Sequence, residues 1–113
     1  MYLEINGREI GYWRKANHIH NWFIENCAAG LDDCEPITVD KDDLISLRHT
    51  CIECLNSPDD ASIILPCKSG FFFGAENYDS WYFSDLSNTV TIIDQALNEA
   101  DFNVDKVQYT ASW

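Results

Sequence analysis

The stretch GYWRKANHIHNWF, Gly11 to Phe23, decides how the first third of the chain is read. Two histidines sit two apart, and bulky aromatics flank a short basic patch. Extended outward, the pattern predicts an amphipathic helix over 8–29. At about 100° per residue, Trp13, Ala16, Ile19, His20, Phe23, Ile24 and Cys27 fall on one broad face together with Tyr12. Arg14, His18, Asn21 and Glu25 fall opposite, and Gly30 is a stop signal. On such a helix His18 and His20 point roughly 160° apart and cannot chelate one ion together. His20 is expected in the core and His18 in solvent. Trp22 lies beyond the stripe and must meet another element or stay exposed.

Downstream, residues 31–39 read as a loop ending in a short extended piece. Asp40-Lys41-Asp42-Asp43 has the form of an N-cap followed by first-turn acids, which favour the helix dipole. A second helix is predicted from there to about Asn56, with Leu44, Leu47, Cys51, Cys54 and Leu55 on one face and Ser57-Pro58 ending it. Pro66, Gly70 and Gly74 exclude a continuous helix over ASIILPCKSGFFFGAENYD, and Phe71-Phe72-Phe73 is expected as a short buried strand. GFFFG lacks the lysine and the G-K-[ST] ending of a phosphate-binding P-loop. A third helix is predicted from Tyr78-Asp79 to about Asn98, on Tyr82, Leu86, Thr89, Val90, Ile93 and Leu97. Val107, Tyr109, Ala111 and Trp113 alternate, so Val104–Trp113 reads as a strand with one buried face. The expected fold is α+β: three helices packed with a small sheet that includes the C-terminal strand. Its 113 residues, 46% apolar, fit one compact domain over 1–113.

Nineteen acids against seven bases give a net charge of −12. Such a surface repels nucleic-acid phosphates and argues against direct nucleic-acid binding. It suits docking on a basic protein surface with electrostatically steered association, or solubility alone. No run approaches the ~18 apolar residues of a membrane span. The N-terminal MYLEINGREI shows no basic region followed by an apolar run, which predicts a cytoplasmic protein. Five cysteines without a secretion signal predict free thiols. Cys51 and Cys54 have C-x-x-C spacing, and Cys27, Cys34, Cys67, His18 and His20 are the conceivable completing ligands of a structural zinc site. A second pair is missing, and Cys51 and Cys54 fall on the apolar helix face. No metal and no cofactor are therefore expected.

Three segments carry a resemblance: GYWRKANHIHNWF at 11–23, ILPCKSGFFFGAENYDSWYFSDL at 64–86, and YTASW at 109–113. Together they resemble a small phage- and prophage-encoded family with the patterns YWRKAN-x-IH-x-WF and LP-x-x-SGFFFG, whose function is poorly characterised. The resemblance implies a phage accessory protein in an infected or lysogenic bacterial host. It implies no activity, and the cysteines lie outside its pattern.

No catalytic group assembles in the sequence. Cys27 shares a helix face with His20 but lies two turns away, roughly 10 Å. Asp79 and Asp85 are acids of a helix start and face. The expected role is non-enzymatic: binding a host protein with a basic, nucleic-acid-binding type of surface, and inhibiting or redirecting it, for example as an anti-CRISPR-like, nucleic-acid-mimicking inhibitor. Exposed aromatics beside acids are the expected anchors. The candidate residues are Trp22, Asp32, Asp33, Asp40, Asp42, Asp43, Tyr78, Asp79 and Trp81. For each aromatic, core packing is the competing reading. A homodimer is the other partner left open. Arg14, Lys15, Asn17 and His20 form the densest basic and polar group, an alternative site for a small anion or nucleotide.

Overall fold

The first strand pair replaces the expected start of the first helix. Tyr2–Ile5 forms β1 and Arg8–Tyr12 forms β2, an antiparallel hairpin closed by Asn6-Gly7. Both turn residues have positive φ, +52° and +84°, which matches the twist of a two-residue hairpin and suits Asn-Gly. The Asn6 side chain then ties the turn to Asp105 and Lys106. Its Nδ2 donates to Asp105 Oδ1 at 2.9 Å, and its Oδ1 accepts from the Lys106 backbone N–H at 2.8 Å. A bulge after Leu3 leaves both Ile10 and Gly11 buried. It breaks the alternation that marks a strand, which is why β2 reads as helix by spacing alone.

The computed structural model describes residues 1–33, 35–68 and 77–111. The Phe71–Phe73 strand expected from sequence, Cys34 and Trp113 lie outside them. Helix α1 spans Asn17–Cys27, β3 Ile37–Thr38, α2 Lys41–Asn56, α3 Ala61–Ile64, α4 Ser80–Glu99 and β4 Val107–Thr110. The fold is α+β. Among the described residues it has four α-helices, one more than expected, because Ala61–Ile64 makes a single turn between Pro58 and Pro66. The strands form one antiparallel sheet in the order β2-β1-β4-β3, with the C-terminal strand inside it. No helix among the described residues is long and apolar enough to cross a membrane.

Two helix starts follow the sequence closely. Asp40 caps α2 in a reciprocal box: its carboxylate accepts from Asp43 N–H at 2.8 Å, and Asp43 accepts from Asp40 N–H at 3.0 Å. Asp79 caps α4, accepting from the N–H groups of Trp81 and Tyr82. The two helices pack antiparallel. Cys54, near the end of α2, meets Tyr82 near the start of α4, and Arg48 pairs with Asp94 further along.

The sheet, α1, α2 and α4 enclose one core. Trp13, Phe23 and Tyr109 form its aromatic centre, with Phe23 and Tyr109 stacked at 4.0 Å and Trp13 edge-on to both. The Trp13 indole donates to Thr89 Oγ1 at 2.8 Å, so its one polar atom is satisfied inside. Gly11 lets α4 lie directly on β2: a Cβ there would collide with the Ile92 side chain. Helix α1 is covered on nearly every side. His18, expected in solvent, is 2% exposed because Tyr82 of α4 stacks on its ring at 4.0 Å. Trp22, a candidate interface anchor by sequence, is also buried and packs edge-on to Phe23 in the core.

Candidate functional site

The start of α4 sends two neighbouring aromatics to different surroundings, one solvated and one buried. Capping by Asp79 fixes the first turn, and a step of about 100° per residue separates Trp81 from Tyr82. Tyr82 turns inward: its hydroxyl donates to the Leu65 carbonyl at 2.6 Å and its ring covers His18. Trp81 turns outward and is 76% exposed. Tyr78 lies between the two regimes. Its ring tilts against Tyr82 at 4.9 Å, and its hydroxyl accepts from the Cys67 backbone N–H.

A notch of about 30 Å³ opens beside Trp81, lined by Lys15, His18, Asn77, Asp79, Tyr82 and Asp85 as well. Its volume is on the order of one water. Asp85 lies one turn after Trp81 and is half-buried, and its carboxylate has no hydrogen-bond or ion-pair partner among the described residues. Burial, reinforced by the nearby Asp79 charge, pushes its pKa up to about 6. His18 forms part of the inner wall. Burial holds its imidazole down at about 4, against a weaker upward pull from the Tyr82 backbone, so it is neutral at physiological pH. Its Nε2 is buried without a hydrogen-bond partner among the described residues.

A second polar cluster lies at the far side of α1. His20 Nδ1 meets the Tyr109 hydroxyl at 2.7 Å, and His20 Nε2 meets Asp32 Oδ2 at 2.9 Å. Both ring nitrogens are engaged, and burial raises the Tyr109 hydroxyl's pKa, with the Asp32 charge adding to it. The space beside this cluster is about 10 Å³, at the lower limit for a single water. Its chemistry is that of a buried lock tying Asp32 to α1 and β4.

The expected site residues therefore separate. Asp32 is held by His20, while Asp33 accepts from the Glu35 N–H on the same loop. Asp40 and Asp43 cap α2; with Asp42, Asp40 borders an open groove of about 610 Å³ shared with Leu97, Ala100, Asp101 and Phe102. That groove is at the opposite end of α4, a 20-residue helix roughly 30 Å long, from Tyr78, Asp79 and Trp81. One interface patch becomes two. The alternative basic group does not converge either. Arg14 and Lys15 are exposed, but Asn17 forms a paired hydrogen bond with the Lys68 backbone and His20 points into the core.

For nucleophilic or metal chemistry the thiols of Cys27, Cys51 and Cys54 are poorly placed. Cys51 and Cys54 are fully buried in the core. Burial pushes Cys51 up to about 12, and burial together with Asp43 does the same to Cys27. Neither supplies a thiolate at neutral pH. The described residues contain no group of three metal-ligating side chains.

His18 is the site residue that sequence reasoning missed. One helical wheel cannot show that a ring from another helix covers its polar side. Asp85 was visible only as a helix-face acid. Comparison with family models, curated proteins and solved structures finds no match.

Proposed function

We propose that this chain is a non-enzymatic, acidic binding module that docks on a basic surface of another protein through the start of α4. One observation carries the reading: Trp81 stands 76% exposed between the carboxylates of Asp79 and Asp85. Covering one indole is worth about 3 kcal/mol, enough to anchor an interface. The −12 charge supplies long-range steering toward a basic surface. The motif resemblance supports a phage accessory protein in the bacterial cytoplasm, with a host protein as target. A nucleic-acid-handling target fits best, since an acidic surface occupies the same basic groove as phosphate.

Affinity capture from bacterial lysate at low salt tests this. Wild type is expected to retain a specific protein that Trp81→Ala fails to retain. Equal retention by both would place the interface elsewhere.

A further inference from the structure

Asp85 is the most unusual charge on the surface. It is half-buried, faces a second carboxylate, and has no partner among the described residues. An unpaired carboxylate in this position costs the fold stability and leaves its lone pairs free for a cationic partner. His18, a lining residue, keeps a buried Nε2 without a hydrogen-bond partner among the described residues, and Trp81, another lining residue, is exposed. Negative charge and an uncovered aromatic face thus meet at one notch, with His18 among its lining residues.

We infer that the notch receives the guanidinium of an arginine side chain from the partner, stacked on the Trp81 indole and paired with the carboxylates of Asp79 and Asp85. The inference rests on the protein-binding reading above. The sign of the charge favours a cation. Two carboxylates face one ammonium, that of Lys15, and His18 contributes no charge because burial keeps it neutral. The cavity holds about one water, so the guanidinium lies across the mouth on the exposed Trp81 face and only an N–H edge reaches inward. The indole favours guanidinium over ammonium. A guanidinium is planar, weakly hydrated and stacks on aromatic faces, and its fork of donors matches two carboxylates. The Asp79 carboxylate keeps its capping bonds to Trp81 and Tyr82 through Oδ1, which leaves Oδ2 for a ligand.

The probe is N-acetyl-arginine methylamide, followed through the indole N–H resonances of ¹⁵N-labelled protein. Trp81→Phe identifies the Trp81 signal. The expected result is a saturable shift of that signal with Trp13 unmoved. Affinity should fall about tenfold in Asp85→Asn, and the neutral isostere N-acetyl-citrulline methylamide should produce no shift. Equal shifts with citrulline, or an unchanged affinity in Asp85→Asn, would overturn the inference. A second arm separates it from the wider reading. Nona-arginine at physiological salt should bind wild type and lose affinity in Asp85→Asn and Trp81→Ala. Binding that ignores both substitutions refutes the notch and leaves the acidic module standing; absence of binding refutes both.

Discussion

Replacing Asp85 by Asn should stabilise this protein at neutral pH, by an amount that follows from its surroundings. Burial and Asp79 raise the Asp85 carboxyl from 3.8 to about 6. At about 1.4 kcal/mol per tenfold change in proton affinity, an ionised Asp85 costs about 3 kcal/mol above pH 6. Partial solvent access screens some of that cost, and the amide leaves a polar group in place, so a gain of about 1–2 kcal/mol is expected. The sign depends on pH. The folded state binds this proton more tightly than the unfolded chain, so wild type gains stability as pH falls from 6 toward 3.8. His18 opposes it: its folded value of about 4 lies below the ordinary 6.5, so the unfolded chain takes that proton first. Wild type then loses stability from His18 as pH falls through the same window. In wild type the two effects offset each other; in Asp85→Asn the His18 loss stands alone. Urea unfolding followed by circular dichroism at about pH 7.5 and about pH 4 reads both free energies. The variant should be the more stable at the higher pH, with the advantage gone at the lower. A destabilised variant at neutral pH, or an advantage of equal size at both, would refute the assignment of Asp85 as a buried, unpaired charge.

Other outcomes follow from the packing. Gly11→Ala should cost about 1–3 kcal/mol in the same assay, because the new methyl meets Ile92; a neutral result would show that α4 does not lie against β2. His18→Asp and His20→Asp should each lose on the order of 1–3 kcal/mol, since both imidazoles are buried; a silent His18→Asp would return that ring to solvent. Elemental analysis of purified protein should find no stoichiometric zinc, because Cys51 and Cys54 face the core; one zinc per chain would revive a structural metal.

The helix caps were the most legible features of this chain. Asp40 with Asp43, and Asp79 ahead of an apolar repeat, each mark a helix start that local chemistry alone specifies. The alternation of Val107, Tyr109 and Ala111 likewise reports the buried face of β4, though the strand begins at Val107, after a turn bonded through Asp101 and Asp105. The hairpin was hidden. Asn6-Gly7 is a turn signal, but the bulge puts Ile10 and Gly11 on the buried side together, and the aromatic spacing from Tyr12 onward imitates helix. The site was legible in pieces. Trp81 and Asp79 stand out as an exposed aromatic and an acid at a helix start. Their distance from Asp40 and Asp42 depends on the antiparallel packing of α2 and α4, which no local pattern encodes. Nor does any local pattern distinguish Trp81 from Trp22, one solvated and one covered.

We propose Trp81 and its flanking carboxylates as the contact surface for a basic protein. Affinity capture from lysate over a salt series, with wild type, Trp81→Ala and Asp42→Asn side by side, tests it most directly. Wild type and Asp42→Asn should retain the same specific protein, released as rising salt screens the attraction, and Trp81→Ala should retain none. Capture that survives Trp81→Ala but is lost in Asp42→Asn would place the contact at the other end of α4 and contradict the account.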